Sequence, residues 1–253
     1  MLANHFASPQ MHRRPTGLMG QLGYYTCDTS TPIRAGTWEA VYWSAQCAIS
    51  GAEAALVDTM AYALCRPPGH HAFSDAAAGF CYLNNTAVAA AHLRALTSQR
   101  VAVLDVDVHH GNGTQAIFYS DADVLTVSIH CDPSDYYPFF SGYDDEIGTG
   151  LGEAFNLNLP LPPGSGDDDF ALALEVALAR ISAHAPAALV IALGLDASEH
   201  DPIGAFKLTE SGFSRMGRAI SSLKLPTLFV QEGGYLCDAL PRNLIAVLNA
   251  AMA

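Results

Sequence analysis

The stretch RVAVLDVDVHHGNG, residues 100–113, constrains this chain more than any other. It opens as an unbroken apolar run, the character of a strand buried on both faces in a parallel sheet. It then presents Asp105, Asp107, His109 and His110. Side chains alternate along a strand, which places Asp105, Asp107 and His109 on one face. Two carboxylates buried so close together are very costly unless cations neutralise them. The stretch therefore asks for a sheet interior and a charged centre at its carboxyl end.

The rest of the chain supplies that sheet. YALC, VLTVSIH, FNLNLPL, ALVIALGLD and PTLFVQEGGY read as further strands. Helical patterns cover TWEAVYWSAQCAISGAEAALVDT, NNTAVAAAHLRALT, GNGTQAIFYSD, DDDFALALEVALARISAH and LTESGFSRMGRAISSL, and the chain closes on LPRNLIAVLNAAM. The acidic start of the fourth helix suits its dipole, and Thr209 suits an N-cap of the fifth. Residues 1–23 are polar and rich in glycine and proline, so they read as loop; residues 131–154 read as a long irregular stretch. Strands alternating with helices predict an α/β domain on a mostly parallel sheet with right-handed crossovers. A chain of 253 residues, half of them apolar, suffices for one such domain, spanning 1–253.

Charge and cysteine usage exclude some functions. Acidic residues outnumber basic ones 25 to 12, a net charge of −13 that repels phosphate backbones and argues against nucleic-acid binding. The six cysteines, at 27, 47, 65, 81, 131 and 237, form no C-x-x-C pair, and read as free thiols of a reducing compartment. No apolar segment is long enough to span a bilayer and the start has no secretory pattern, so no membrane partner and a cytoplasmic location are expected.

In open parallel sheets, ligands bind outside the carboxyl ends of the strands. Those ends carry His70 and His71 after YALC, then Asp105, Asp107, His109 and His110. Ser128 and His130 end VLTVSIH, Asp196 ends ALVIALGLD, and Tyr235 ends TLFVQEGGY. One D-x-D pair is often only a cap, and one buried histidine is usually just hydrogen-bonded. Their joint occurrence at several strand ends points to a metal site. Asp107, His109 and Asp196 make a carboxylate–imidazole–carboxylate set that balances a divalent charge and leaves positions open for water. By ligand type zinc leads, with iron(II) or manganese as alternatives.

These residues carry a family resemblance. RPPGHH, GFCYLNN, LDVDVHHGNGTQ, LGLDASEHDP and EGGY occur in the order found in the zinc-dependent histone deacetylase superfamily, from about residue 20 to the end. GQLGYY, GTWEA, YYPFFSGYDDE, SEHDPIGAFKLT and MGRAI are similar to the bacterial acetylpolyamine amidohydrolases within it. The resemblance implies the three-layer arginase/deacetylase-like fold and removal of acetyl or similar acyl groups from amines. It implies Asp107, His109 and Asp196 as zinc ligands, with iron(II) as an alternative metal, and His70 and His71 as a tandem pair beside the metal-bound water. Asp105 would hold His70, Asn112 would orient His71, and Tyr235 would face the substrate carbonyl. Gly79, Phe80 and Tyr137 would line the substrate channel. Asp105, Asp107, His109, Ser128 and Ile129 would form a structural potassium site, largely through backbone oxygens.

Family members also carry an amino-terminal segment ahead of GQLGYY, which this chain is expected to lack; the family precedent is a homodimer. Asp28 is the nearest candidate for a carboxylate holding the substrate's amide or cationic tail, with a turn-forming role as the alternative. Asp144, Asp145 and Glu146 read as polyamine-attracting or merely solvated groups, and Glu199 and His200 as groups beside or around the site. The expected activity is hydrolysis of a small acylated amine, most of all an acetylpolyamine. A protein-lysine deacetylase and a catalytically weak metal-holding binding protein are the alternatives, and a paired-metal arginase-type hydrolase fits less well.

Overall fold

A computed structural model describes residues 1–7 and 13–253. Its strands are β1 (Met60–Ala63), β2 (Val101–Asp105), β3 (Val124–Cys131), β4 (Asn156–Leu161), β5 (Ala188–Leu193) and β6 (Thr227–Gln231). Its helices are α1 (Leu18–Tyr24), α2 (Thr37–Asp58), α3 (Asn85–Thr97), α4 (Asn112–Phe118), α5 (Asp167–His184), α6 (Glu210–Ser221) and α7 (Leu240–Met252). The six strands form one sheet in the order β1-β6-β5-β2-β3-β4. Every neighbouring pair is parallel.

Alternation along the central strands builds two cores. Val101 and Val103 of β2 join Ala48 and Ala52 of α2 and Ala90 and Leu93 of α3. Ala102 and Leu104 turn to the other face and join Phe170 and Ile181 of α5, Phe213 of α6 and Val247 of α7. The result is a helix–sheet–helix sandwich, in which continuous apolar strands are required because both faces are covered. Small residues bring α2 close to the sheet: a Cβ on Gly51 would lie 2.7 Å from a Leu228 methyl. Thr209 caps α6 by accepting the N–H of Gly212 at 3.3 Å. Asn84 caps α3 in the same way, through Ala87 at 2.8 Å.

Two expectations need correction. The start is not loop throughout, because α1 occupies Leu18–Tyr24. That helix is seven residues long and contains Gly20 and Gly23, too short and too glycine-rich to show helical periodicity in sequence. Its formation depends on tertiary packing: Leu22 and Gly23 are buried, and the Gly23 carbonyl accepts the Ala7 N–H at 3.0 Å. Residues 8–12 of the same stretch lie outside the described residues. The second correction concerns β2, which ends at Asp105. Asp107 and His109 therefore lie beyond the strand, not on one of its faces. Asp105 Oδ1 accepts the N–H of Asp107 at 3.1 Å, and Asp107 Oδ1 accepts that of His109 at 2.9 Å. Aspartates bonding to their own backbone two residues on are turn formers.

All six cysteines are free, and three of them, Cys65, Cys81 and Cys131, are buried. Among the described residues no helix is long and apolar enough to cross a membrane.

Candidate active site

The site lies beyond the carboxyl ends of β2, β5 and β6, three of the four inner strands of the sheet. Asp107 and His109 follow β2, Asp196 follows β5, and Tyr235 follows β6. One potential ligand atom from each of Asp107, His109 and Asp196 lies within 4.8 Å of the other two. His109 Nδ1 stands 3.0 Å from Asp107 Oδ1 and 3.2 Å from Asp196 Oδ2. Neighbouring backbone fixes both carboxylates: Gly233 N–H donates to Asp107 Oδ2 at 2.8 Å and Val108 N–H to Asp196 Oδ1 at 3.0 Å. A Cβ on Gly233 would lie 2.1 Å from Asp196 Oδ2, and one on Gly194 would lie 2.2 Å from Asp107 Oδ2. These two glycines leave the room that the carboxylates occupy.

The electrostatics of the trio fit a cation. Burial, reinforced by the charge of Asp107, raises the Asp196 carboxyl to about 6. Burial alone would lower His109, but hydrogen bonds and charge from Asp107 and Asp196 override it and raise the imidazole to about 10. Two fully buried carboxylates thus compete for whatever positive charge is close. An oxygen–nitrogen–oxygen donor set of this charge suits a divalent metal.

The loop after β1 brings in the histidine pair. His70 Nδ1 lies 3.0 Å from Asp105 Oδ2, and His71 Nδ1 lies 2.8 Å from Asn112 Oδ1. The two rings are 4.0 Å apart between centroids. Burial opposes charge on His70, yet Asp107 and Asp105 hold its proton affinity well above that of a free imidazole. His71 is driven well below that value, first by burial and then by the positive charge of His70. Tyr235 is pushed upward, chiefly by burial and then by Asp107, so its hydroxyl keeps its proton.

A cavity of about 180 Å³ opens onto these groups, with His70, His71, Asp107, His109, Asp196 and Tyr235 in its lining. Gly79, Phe80 and Tyr137 form further walls. Gly79 has a φ of +51°, and a Cβ there would meet the His71 ring at 2.3 Å. Tyr136, which the sequence did not single out, stacks on His109 at 4.9 Å and 15°.

Other sequence candidates fall elsewhere. Ser128 of β3 pairs in register with Asp105 of β2, and Ile129 follows it on β3. Ser128 Oγ also lies 2.8 Å from His130 Nδ1. Asp28 is not in the cavity lining; its carboxylate accepts from Ser30, Gly79 and Tyr137. Asp144 and Asp145 are exposed. Glu146 turns inward instead, accepting from Gln115 at 2.6 Å and from the Gly142 N–H at 2.9 Å. Glu199 and His200 are exposed and 3.6 Å apart.

Two structural carboxylates are not singled out by the sequence. Glu232 is fully buried and accepts the N–H groups of Gly69 at 2.6 Å and His70 at 3.0 Å, and the Thr86 hydroxyl at 2.7 Å. Asp201 accepts the Tyr235 N–H at 2.8 Å. Both stand inside quoted motifs, EGGY and SEHDP, which was the only available signal.

A three-layer parallel α/β fold thus holds this pocket at its strand ends. The chain belongs to the histone deacetylase domain family, whose model matches residues 4–251. It is 53% identical over 236 residues to acetylpolyamine amidohydrolase 1 of Pseudomonas aeruginosa, covering 93% of this chain and 68% of that one. It is 51% identical over 229 residues to the acetylpolyamine amidohydrolase of Burkholderia pseudomallei, covering 90% and 67% respectively. The crystal structure of acetylpolyamine aminohydrolase from Burkholderia pseudomallei superimposes with a TM-score of 0.94 at 46% identity, over 100% of this chain and 73% of the other.

Proposed function

We propose that this protein, as a single catalytic domain over residues 1–253, is a metal-dependent amidohydrolase that removes acetyl or a similar small acyl group from primary amines. Acetylpolyamines are the proposed substrates. The observation that carries the reading is the buried meeting of Asp107, His109 and Asp196 on a cavity that His70, His71 and Tyr235 also line. Identity near 50% to proteins named acetylpolyamine amidohydrolases supports the substrate class.

Asp107, His109 and Asp196 would hold the metal, zinc in the first instance and iron(II) as the alternative. Asp105, Asp107, His109, Ser128 and Ile129 would hold a structural potassium ion. A bound divalent ion supplies Lewis acidity, bringing the pKa of a water toward ~7 and polarising the amide carbonyl. His71 is the general base. Asn112 presents its amide oxygen to Nδ1, so Nδ1 carries the proton and Nε2 is left to accept one. His70, whose proton affinity Asp107 and Asp105 raise, would contribute positive charge beside the developing negative charge. Tyr235 donates a hydrogen bond to the oxyanion. Water oxygen bonds to the acyl carbon, the C–N bond breaks, and His71 returns its proton to the departing amine. The products are a carboxylate and a free amine. Phe80 and Tyr137 would sandwich the apolar chain next to the amide.

Protein loaded with zinc or iron(II) tests the reading when supplied with acetylputrescine and an acetyl-lysine peptide. Faster release of amine from acetylputrescine is the expected result. Preference for the peptide would favour a protein-lysine deacetylase, and bound metal with no hydrolysis of either would make the protein a binder.

A further inference from the structure

Asp28 joins three loops through one side chain. Its Oδ1 accepts the N–H of Ser30 at 2.8 Å, while Oδ2 accepts the Tyr137 hydroxyl at 2.7 Å and the Gly79 N–H at 2.9 Å. Ser30 lies between α1 and α2, Gly79 between β1 and α3, and Tyr137 between β3 and β4. Each loop supplies a wall of the cavity: Ser30, Phe80 and Tyr137 all line it. Tyr137 stands edge-on to His71, with ring centroids 4.9 Å apart and planes at 89°. Gly79 and Phe80 both have left-handed backbone, at φ +51° and +69°. A bulky residue there is strained and persists only where its surroundings hold it. The hydrogen bond from the Gly79 N–H to a carboxylate is such a restraint, and bonds to charged acceptors are the strong ones. Three of the roughly four acceptor sites of this half-buried carboxylate are thus taken by the protein itself.

We propose that Asp28 is a positioning residue: a latch that holds the Tyr137 wall and the Gly79–Phe80 turn at the spacing an unbranched acylated amine requires. The inference rests on the proposed amidohydrolase function. It assigns Asp28 to the frame of the channel, not to the substrate, and gives the Tyr137 hydroxyl a purpose that its ring alone would not need.

Steady-state kinetics on an N-acetylated linear diamine test the latch, using wild type, Asp28→Ala, Tyr137→Phe and the double variant, with urea midpoints for the same four proteins. Tyr137→Phe lowers kcat/KM by about tenfold, the loss of one charge-assisted hydrogen bond, and Asp28→Ala, which removes all three bonds, lowers it by at least as much; both losses are carried mainly by KM. The double variant is no worse than Asp28→Ala. Asp28→Asn, which keeps an oxygen for Tyr137 and Gly79, recovers most of the loss. Multiplying losses in the double variant, or an unchanged KM in both singles, overturns the latch. Should Asp28→Ala not fold, an unchanged KM in Tyr137→Phe overturns it. A wild type that hydrolyses no acylated amine overturns the proposed function instead, and the latch is then read from urea midpoints. Tyr137→Phe shifts the midpoint in the wild-type background and leaves it unmoved in Asp28→Ala. Equal shifts in both backgrounds overturn the latch.

Discussion

His70 and Asp105 face each other across 3.0 Å, from Nδ1 to Oδ2, with both side chains 3% exposed. His71, next in sequence, turns its Nδ1 to the neutral Asn112. Adjacent imidazoles thus have partners of different charge, and their proton affinities are driven apart. Separation of that kind lets one histidine stay charged while its neighbour accepts and returns a proton.

Asp105→Asn keeps the shape of the pair and removes its charge. A buried hydrogen bond to a charged group contributes about 1.5–3 kcal/mol, so kcat falls on the order of 10–100-fold. Turnover of an acetylated diamine by purified variant and wild type checks this, and an undiminished kcat would remove His70 from the proposed chemistry.

Tyr235 is held from behind, through the bond from its N–H to Asp201, while its side chain lines the cavity. Tyr235→Phe loses about 10²–10³ in kcat, the usual effect of deleting one oxyanion donor. Its thermal midpoint should match wild type, because the deleted hydroxyl faces the cavity. Near-normal turnover would contradict the assigned role.

Metal binding is visible without any substrate. Stripping the protein with a chelator abolishes turnover, and restoring zinc recovers it. Zinc at a hundred times its dissociation constant stabilises the fold by ~2.7 kcal/mol, read as a rise in thermal midpoint. Asp196→Asn removes one of the two buried carboxylates of the trio and loses most of that rise. A zinc-induced shift of equal size in the variant would locate the metal elsewhere.

Glu232 makes stability depend on pH. Burial lifts its carboxyl from the ordinary 4.5 to about 7. The folded state therefore holds a proton that the unfolded state has released, and the stability this confers is full below 4.5 and is lost as pH rises through 7. The wild type forfeits about 3 kcal/mol across that window, and Glu232→Gln, whose amide does not ionise, flattens the profile. Urea denaturation at pH 5 and pH 8 measures the difference; parallel profiles for the two proteins would contradict it.

Much of the layout is legible along the chain because its causes are local. The apolar runs that become β2, β3 and β5 announce burial on both faces, and Thr209 announces a helix start. Where neighbours in sequence do not decide, the reading fails. The start of the chain shows no helical period, yet α1 forms because Leu22 has a core to enter. The alternation drawn through Asp107 and His109 ignored the turn that Asp105 and Asp107 build from their own carboxylates.

The chain by itself determined its α/β order, its motif sequence and the set of ionisable groups at strand ends, since period and composition are properties of contiguous residues. Tertiary structure alone decided which distant groups meet. Glu232 reaches Gly69 across 163 positions, Tyr137 reaches Asp28 across 109, and Val108 reaches Asp196 across 88. No local pattern encodes such pairings: a carboxylate's partners are chosen by the packing of the sheet, and only after that packing exists does its charge acquire a purpose.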